Sequence, residues 1–477
     1  MQIAIITGEA SGDRVGGQLA TEIKRLRPDA EIWGTGGHYL RSAGVDVVVD
    51  SSRYGVIGIA AAVRLLPRVL RARQILHREM RRRRPDLLIA VDAGAFNLGF
   101  GPVIGLCPWT RKHLPKTRIL YYFPPGSWRR NLKSTTLDTV TDAVATPFPW
   151  SETELQRLGA KAVFVGHPLL DLVHPSVTPS VFAEQYGLDK DQPVVGLLPG
   201  SRAQEIAEIL PVQLEAAAII HKRVPSVQFV IALAATVDRA DVVRTVERLR
   251  ERGGPHLTDL LHRLEERLRG DGTAKGLHPQ RVSSLAVTPQ GTMLPAPVKQ
   301  DEFASRTRAQ LVQSARQRGD GKDFALAIVE NATYDTMAAS DVLLTASGTA
   351  TLEAAILGKP MVIVYRLSKD NWLEYQVVKN RLPVHIGLPN LLAGKRICPE
   401  LVQVAATPDA LAAEVIGLLL EPERLLRMKE DLRAAVSQLG QRGGATRTAQ
   451  MAIELVETGA VRGARGDGEP QKSDESI

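Results

Sequence analysis

The segment Asp341-Val-Leu-Leu-Thr-Ala-Ser-Gly-Thr-Ala-Thr-Leu-Glu-Ala-Ala-Ile-Leu-Gly-Lys-Pro-Met-Val-Ile363 decides how the chain is interpreted. Residues 342–345 have the pattern of a buried strand, Ser347-Gly348-Thr349 suit a tight turn, and 350–357 suit a helix. Such a turn presents free backbone N–H groups at the positive end of a helix, which favours an anion. Glu353, on the first turn of this helix, can accept hydrogen bonds from a ribose. An ordinary βαβ connection with a helix-start carboxylate explains the same residues, so the rest of the chain must decide.

Length and composition indicate a large aliphatic α/β protein. The chain has 477 residues, enough for two or three domains, with 44% hydrophobic and 5% aromatic residues. A net charge of +8 suits nucleic acid, an anionic membrane or phosphate-bearing substrates without choosing among them. The two cysteines, Cys107 and Cys398, argue against a disulfide framework or a cysteine metal site and favour a reducing compartment.

Targeting and membrane-spanning patterns are missing from the sequence. A strand pattern begins directly after Met1, without a charged n-region, an apolar core and a cleavage site. No uninterrupted apolar run reaches about 18 residues, the length that a transmembrane helix needs. We therefore expect any membrane contact to be peripheral.

Two turns in the first half of the chain follow apolar strand patterns. Residues 3–6 run into Gly8-Glu9-Ala10-Ser11-Gly12-Asp13, and 87–91 run into Asp92. The glycine-rich turn matches neither a dinucleotide fingerprint nor a Walker loop, and a tight βα turn capped by Ser11 or Asp13 also explains it. Open α/β sheets bind ligands beyond the carboxyl ends of their strands, so Asp92 is placed as a catalytic carboxylate. A loop-capping aspartate is the alternative.

Residues 54–84 differ in character from the sequence around them. An apolar run at 56–63 is followed by Pro67, a suitable first helical residue, and then by apolar residues at helical spacing among many arginines, four of them consecutive at 81–84. A basic amphipathic helix suits an anionic lipid surface. A helix packed on the sheet with a solvated outer face is the alternative, although packing alone does not call for four consecutive arginines.

A strand pattern restarts at 194–198, after Gly166-His167-Pro168, which we interpret as a hinge. This strand runs into Pro199-Gly200-Ser201-Arg202 at a helix start. Arginine is suited to bidentate phosphate contact, and a cation is poorly placed at a helix N-terminus unless an anion joins it. A solvated helix-start arginine is the alternative. The periodic pattern fails at 253–322, apart from one helix-like piece, so we predict a flexible insertion there.

These patterns predict an α/β protein with a GT-B-like arrangement: two Rossmann-like parallel-sheet domains facing a cleft, with C-terminal helices closing it. We place the first domain at 1–166 and the second at 167–370, followed by a cleft-lining loop and helices at 371–460. The tail at 461–477 is rich in Gly, Arg, Asp, Glu and Ser and is predicted to be disordered.

Taken together, the motifs resemble those of the lipid-A-disaccharide synthase family. They occur in that family's order and in both halves of the chain: Gly8-Glu-Ala-Ser-Gly-Asp13, Val165-Gly-His-Pro168, Leu198-Pro-Gly-Ser-Arg202, Ala346-Ser-Gly-Thr-Ala-Thr-Leu-Glu353 and Leu388-Pro-Asn-Leu-Leu-Ala-Gly394. Each motif alone is a weak signal, but together and in register they are specific. The insertion and the tail fall outside the resemblance.

The resemblance implies a GT-B hexosyltransferase of lipid A and lipopolysaccharide biosynthesis that needs no metal and no cofactor. The family transfers 2,3-diacylglucosamine from UDP-2,3-diacylglucosamine to 2,3-diacylglucosamine 1-phosphate through a β-1,6 bond and releases UDP. The first domain would then bind the acylated acceptor and the second the UDP-linked donor. The resemblance also implies a cytoplasmic protein in peripheral contact with the cytoplasmic face of the anionic inner membrane. It implies no nucleic-acid partner and is compatible with a homodimer.

Residue roles carry over by matching motifs. Asp92 would take the proton from the acceptor's 6-hydroxyl. The UDP-sugar would be held by Arg202, Ser201, Ser347, Gly348, Thr349, Glu353, Asn390 and Gln403, with Glu400 as a further cleft residue. Glu9, Ser11 and Asp13 would form the glycine-rich loop on the acceptor side. Arginine and helix ends would stabilise the departing UDP, which explains why no metal is implied.

Departures from the family pattern lie in the acceptor half. The usual Pro-Asp-Phe-Asn is Gly94-Ala-Phe-Asn97 here, which lacks a second carboxylate. The usual Ser-Pro-Ser-Val-Trp-Ala-Trp-Arg is Pro124-Pro-Gly-Ser-Trp-Arg-Arg130, with one tryptophan lost. One alternative is therefore a diverged member that transfers a UDP-linked sugar to another lipid or glycan. Another is a nucleotide-sugar-binding protein without turnover, against which the presence of Asp92 and Arg202 argues.

Overall fold

Two parallel sheets organise the chain. The computed structural model describes residues 1–51, 59–100, 103–127, 132–252, 257–269, 325–367 and 384–461. These residues divide into two compact units, Met1–Leu172 with the described part of Ser437–Ile477, and Val173–Val436. Each unit contains its own parallel sheet flanked by helices. The predicted fold class of two Rossmann-like parallel-sheet domains is thus confirmed.

The first unit contains a parallel sheet in the order β3-β2-β1-β4-β7-β8-β9 and a small antiparallel pair, β5 with β6. The strands are β1 (Gln2–Ile6), β2 (Glu31–Gly36), β3 (Asp46–Asp50), β4 (Leu87–Val91), β5 (Gly99–Phe100), β6 (Val103–Ile104), β7 (Arg118–Tyr122), β8 (Ala143–Thr146) and β9 (Ala162–Phe164). The helices are α1 (Ala10–Leu26), α2 (His38–Ser42), α3 (Ile59–Arg83), α4 (Gly94–Asn97), α5 (Leu106–His113), α6 (Leu137–Val140), α7 (Pro149–Arg157) and α8 (Leu169–Leu172).

The second unit contains a parallel sheet in the order β12-β11-β10-β13-β14-β15. Its elements in chain order are α9 (Pro179–Tyr186), β10 (Val194–Leu198), α10 (Ala203–Arg223), β11 (Gln228–Leu233), α11 (Arg239–Arg252), α12 (Thr258–Arg269), β12 (Leu326–Glu330), α13 (Thr333–Ala339), β13 (Val342–Ala346), α14 (Thr349–Ile356), β14 (Met361–Tyr365), α15 (Leu388–Ala393), β15 (Glu400–Val402), α16 (Pro408–Leu420) and α17 (Pro422–Ser437). The last helix, α18 (Gly444–Thr458), returns to the first unit.

Continuous apolar runs form the central strands because helices cover both faces of each sheet. In β1, Ile3 and Ile5 belong to one buried cluster and Ala4 and Ile6 to another. This division follows from the alternation of side chains along a strand. Helices α1 and α18 contribute to the first cluster, and α3 and α5 to the second.

Helix α18 completes the core of the first unit. Its buried residues Ala449, Ala452 and Leu455 join the cluster that contains α1 and β1. The carboxylate of Asp171 accepts hydrogen bonds from the backbone N–H groups at the start of α18, of Gly443 at 2.8 Å and Gly444 at 3.1 Å. The segment predicted at 371–460 is therefore divided between the two units. The chain passes from the first unit to the second between Leu172 and Val173, six residues after the domain boundary that the sequence predicts at 166.

The predicted flexible insertion begins with a packed helix. Helix α12 buries Leu260, Leu261, Leu264 and Leu268 and packs on α11 and β12. Leucines at helical spacing give this helix an apolar face, and burial of that face holds it in the second unit. The remainder of the insertion and the predicted disordered tail beyond Val461 lie outside the described residues.

Helix α3 begins at Ile59 and runs through Pro67, so the prediction that Pro67 starts the helix is wrong. Six of the eight residues before Pro67 are strong helix formers, namely three alanines, two leucines and an arginine, and they favour a helix on the N-terminal side of the proline. Leu76 and Met80 are buried against the sheet, while Arg71 and Arg78 are exposed. Packing and a basic outer face therefore coexist in this helix.

Over the described parts of the chain, we find no helix with the length and apolarity to cross a membrane.

Candidate active site

Residues in the left-handed backbone region mark the carboxyl ends of several strands. They are Asp92 (φ 46°), Ala93 (φ 44°) and Phe123 (φ 63°) in the first unit, and Asn331 (φ 58°) and Gln403 (φ 53°) in the second. These conformations are costly for residues other than glycine and concentrate at functional sites. Ligands of parallel α/β sheets bind at the same edge. Backbone strain therefore indicates one candidate site region in each unit.

The main chain of Asp92 is held from both sides. Its N–H donates to the carbonyl oxygen of Tyr122 at 3.1 Å. Its own carbonyl oxygen accepts from the hydroxyl of Tyr121 and from Nδ2 of Asn97, the latter at 3.0 Å. Because Tyr121 and Asn97 are themselves buried, these contacts fix the strained backbone from which the carboxylate projects.

Close backbone approaches bring three turns together around Asp92. A Cβ atom at Gly8 would lie 2.5 Å from Cβ of Ala93, and one at Gly94 would lie 2.8 Å from Cγ of Pro125. Side chains at these two positions would force the turns apart, which explains the glycines. The turns after β1, β4 and β7 thus meet at one edge of the sheet.

The electrostatic surroundings of Asp92 suit a general base. Burial, in first place, and the negative charge of Glu9, in second place, raise the pKa of the Asp92 carboxyl to about 6, although a hydrogen bond from the Ala93 N–H opposes them. A base works best when its pKa lies near the operating pH. Asp92 therefore remains largely ionised at neutral pH and is still basic enough to accept a proton.

The predicted site residues of the glycine-rich turn have two different roles. Oγ of the exposed Ser11 donates to Oε1 of Glu9 at 3.3 Å, and Glu9 acts electrostatically on Asp92. Asp13 is buried, and its carboxylate accepts from the N–H groups at the start of α2: Gly37 at 2.7 Å, Tyr39 at 3.0 Å and Leu40 at 3.2 Å. The structure thus brings Glu9 to the Asp92 site and uses Asp13 to hold α2.

In the second unit, Glu205 organises the turn that carries Arg202. Its Oε2 accepts from the N–H groups of Ser201 at 2.7 Å and Arg202 at 3.3 Å, and its Oε1 lies 2.8 Å from Nη1 of Arg202. A cation at a helix start is poorly placed without an anion beside it, and Glu205 of the same chain is such an anion for Arg202. A glutamate three residues into a helix is a known capping signal that could have revealed this contact.

The turn before α14 is open at its tip. Ser347 is anchored, since its N–H donates to the Val364 carbonyl at 2.9 Å and its Oγ to the Ile386 carbonyl at 3.2 Å. Gly348 and Thr349 are exposed, and a Cβ at Gly348 would meet no heavy atom within 4 Å. The turn therefore leaves space beside the first backbone N–H groups of α14, as an anion site requires.

Glu353 has a partner that the sequence did not reveal. The hydroxyl of Tyr334, on α13, donates to Oε1 of Glu353 at 2.7 Å. The two residues lie on successive helices separated by a strand, so their contact follows from the fold and not from a local pattern.

Asn390 supports the site from within the structure. Its Nδ2 donates to the Cys398 carbonyl at 2.9 Å and to Oε1 of Glu400 at 2.7 Å, and its Oδ1 accepts from the N–H groups of Ile397 and Cys398, both at 2.8 Å. These bonds use both donors and both lone pairs of the amide. Glu400 also accepts from the N–H groups of the preceding segment, Ile386 and Gly387. Asn390 and Glu400 thus hold this segment beside the start of β15.

Gln403 combines backbone strain with an unused donor. It follows β15 in the left-handed region, and its Nε2 is buried without a hydrogen-bond partner among the described residues. Leaving a buried donor unpaired costs about 1–3 kcal/mol. A ligand acceptor at this position would remove that cost.

Metal-binding and thiol chemistry have little support in the described ranges. Within them, no cluster of three or more His, Cys, Asp or Glu residues is arranged to hold a metal ion. Cys107 and Cys398 are buried, and burial raises the pKa of each thiol to about 12. Thiols in such surroundings stay protonated and unreactive.

Comparison with known proteins gives a consistent result. A family model described as lipid-A-disaccharide synthetase matches residues 3–258 and 300–455. A lipid-A-disaccharide synthase of Geobacter sulfurreducens is 32% identical over 457 residues, which cover 95% of this chain and 97% of that protein. One of Neisseria meningitidis is 29% identical over 435 residues, covering 91% and 92%.

Solved structures share the fold at low sequence identity. The UDP-GlcNAc 2-epimerase of Neisseria meningitidis bound to UDP-GlcNAc aligns with a TM-score of 0.51 and 11% identity, over 95% of this chain and 100% of that one. A co-structure of S. aureus MnaA with UDP aligns with a TM-score of 0.50 and 11% identity, over 95% and 96%. At this identity the likeness concerns the fold alone.

Proposed function

This chain belongs to the lipid-A-disaccharide synthase family, and on that premise we propose how its residues carry out the transfer. It is a glycosyltransferase of lipid A disaccharide synthesis, and its donor is a UDP-sugar. We propose UDP-2,3-diacylglucosamine as the donor and 2,3-diacylglucosamine 1-phosphate as the acceptor. The single observation that carries the mechanism is the partly buried carboxylate of Asp92 on a strained backbone, whose surroundings raise its pKa to about 6.

The second unit would hold the donor nucleotide. The open turn at Gly348 and Thr349 offers backbone N–H groups at a helix start, and the partly exposed guanidinium of Arg202 lies at another helix start. Both features favour a diphosphate. Glu353 would accept hydrogen bonds from ribose hydroxyls. Nε2 of Gln403, which lacks a hydrogen-bond partner in the part of the chain that the structure describes, would donate to an oxygen atom of the UDP-sugar. The anchored Ser347 and the internally bonded Asn390 would keep these groups in place.

The first unit would supply the base. Asp92 accepts the proton of the acceptor's 6-hydroxyl while that oxygen forms a bond to the anomeric carbon of the donor sugar. The bond between the anomeric carbon and the UDP oxygen breaks, and its electron pair leaves with UDP. Helix-start N–H groups and Arg202 would stabilise this developing charge, which is a large contribution in reactions of this kind.

An assay with defined substrates tests the proposal. Purified protein is incubated with both acylated glucosamine substrates, and the disaccharide phosphate and UDP are quantified by mass spectrometry and chromatography. We expect equimolar products, and an Asp92→Asn variant serves as the inactive control. UDP binding without product would contradict the proposed acceptor, and product formation with another lipid or glycan would then support the diverged-member alternative.

Helix α3 would provide the peripheral membrane contact on the cytoplasmic face of the inner membrane. Its exposed arginines include Arg71 and Arg78, and juxtamembrane basic residues contribute about 1 kcal/mol each toward an anionic surface. We expect Arg71→Glu combined with Arg78→Glu to reduce sedimentation with phosphatidylglycerol vesicles. The matched control reverses the charge of Arg244 and Arg248, exposed on α11 of the second unit. Equal sedimentation of both double variants would contradict this role for α3.

A further inference from the structure

We propose that Tyr334 is a positioning residue that aims the carboxylate of Glu353 at the ribose hydroxyls of the donor nucleotide. The inference rests on the proposed function, because it assigns the ribose to Glu353. Its basis is the hydrogen bond of 2.7 Å from the Tyr334 hydroxyl to Oε1 of Glu353.

The helix that carries Tyr334 is fixed near its beginning. The neighbouring Asp335 is buried, and its carboxylate accepts from N–H and Oγ of Ser176, each at 2.6 Å, and from the N–H of Val177 at 3.1 Å. These charge-assisted bonds tie α13 to the segment that enters the second unit. These bonds therefore restrict the movement of the helix that carries Tyr334.

The end of the same helix is tied to the chain that follows α14. Nζ of Lys359 donates to the carbonyl oxygens of Ala338 at 2.7 Å and Ser340 at 3.1 Å. A lysine that binds the last carbonyls of a helix also complements its dipole. Because Lys359 lies just beyond α14 and Glu353 lies within it, the two helices are held at a fixed separation across which Tyr334 reaches.

The chemistry of the pair leaves capacity for a ligand. An ionised carboxylate can accept about four hydrogen bonds through its two oxygens. The bond from Tyr334 restricts the rotation of Glu353 and so lowers the entropy that would be lost when ribose hydroxyls bind. Tyr334→Phe keeps the ring and removes the donor. The variant should therefore retain the fold and lose ribose recognition.

Discrimination between UDP and 2′-deoxy-UDP provides the test. We expect the wild type to bind UDP about 10-fold or more tightly than 2′-deoxy-UDP in isothermal titration calorimetry, as loss of a hydrogen bond to a charged group predicts. In Tyr334→Phe the ratio should fall to within about 3-fold, mainly through weaker UDP binding, while the affinity for 2′-deoxy-UDP and the Tm stay close to wild type. Glu353→Gln should reduce the ratio in the same way.

The matched control is Tyr39→Phe, which removes the hydroxyl of an exposed tyrosine on α2 of the first unit and should leave the ratio unchanged. A wild-type ratio near 1, or a ratio in Tyr334→Phe equal to that of the wild type, would overturn the inference. If Tyr334→Phe binds both nucleotides more weakly to the same extent and has a lowered Tm, Tyr334 has only a structural role, and the inference is overturned as well. If Tyr334→Phe does not fold, Glu353→Asp tests the same contact by withdrawing the carboxylate. Absence of UDP binding in the wild type would instead contradict the proposed function.

Discussion

Nη1 of Arg202 lies 2.8 Å from Oε1 of Glu205, so the guanidinium proposed for the donor diphosphate already has an anionic partner on its own helix. The Arg202 side chain is 39% exposed and that of Glu205 is 15% exposed, so the arginine still faces solvent while the glutamate is largely covered. A guanidinium has five N–H donors in a planar fork. Arg202 can therefore keep its contact with Glu205 and offer further donors to a diphosphate.

Replacement of Arg202 should weaken nucleotide binding. We expect Arg202→Ala to reduce UDP affinity by about 1.5–3 kcal/mol, the range for a hydrogen bond to a charged group. Arg202→Lys should recover only part of this loss, because lysine lacks the bidentate fork. Isothermal titration calorimetry with UDP measures both variants. An affinity in Arg202→Ala equal to that of the wild type would exclude Arg202 from nucleotide binding.

Removal of the Asp92 charge should impair turnover and spare nucleotide binding. We expect Asp92→Asn to lower kcat by about 10²-fold or more, the scale of general base catalysis, with UDP affinity within about 2-fold of wild type. The amide has nearly the same shape, so the strained backbone that Tyr121 and Asn97 support should persist. Product formation under saturating substrates is the measurement, and unchanged turnover would exclude Asp92 as the base.

The pH profile should report the influence of Glu9 on Asp92. Burial, and after it the negative charge of Glu9, raise the pKa of the Asp92 carboxyl to about 6. A protonated base is inactive, so kcat/KM should fall about 10-fold per pH unit below this value. Glu9→Gln removes one cause of the rise, and its acidic limb should therefore shift to lower pH.

Asp29→Asn is the control for this shift, since Asp29 is an exposed carboxylate just before β2, at the opposite edge of the sheet. Its acidic limb should coincide with that of the wild type. If the limb of Glu9→Gln coincides as well, the charge of Glu9 does not act on the catalytic base.

How far the sequence could predict the structure depended on the range of each interaction. The apolar runs at 87–91 and 194–198 predicted strands covered on both faces, and β4 and β10 are fully buried. The turns before α10 and α14 were also predictable, because glycine and N-cap residues act locally. Glu205, three residues after Arg202, is likewise a local signal for the contact between these two residues.

Long-range contacts could not be predicted in this way. The hydrogen bond from Thr446 to Glu22 spans 424 positions, and it helps to place α18 on the first unit. The contact between Tyr334 and Glu353 depends on the spacing of two helices across a strand. Asn390 had a residue type suited to ligand binding, yet the fold uses its amide internally. Residue type and position placed Asp92, Arg202 and Ser347 after the strands that they follow in the structure, whereas side-chain partners depended on packing.

The buried imidazole of His167 should make the first unit sensitive to acid. Burial lowers the pKa of His167 to about 3, and its Nδ1 accepts from the Leu169 N–H at 3.2 Å, between the rings of Phe123 and Phe148. Its pKa in the unfolded chain is about 6.5. Between about pH 3 and 6.5 the unfolded state therefore binds more protons than the folded state, so stability rises with pH in this window and falls on acidification. The contribution of this one group is at most about 1.4 kcal/mol per pH unit.

His167→Asn should remove this dependence, because an amide oxygen can accept the Leu169 hydrogen bond without titrating. We expect the free energy of unfolding of the wild type, measured with urea at pH 7, 6 and 5, to decline more steeply than that of His167→Asn, even if the variant is less stable at pH 7. The control is His38→Asn, which replaces an exposed histidine and should preserve the wild-type slope. Parallel pH slopes for His167→Asn and the wild type would mean that another group, such as His77 with its pKa lowered to about 4 chiefly by burial, accounts for the acid sensitivity.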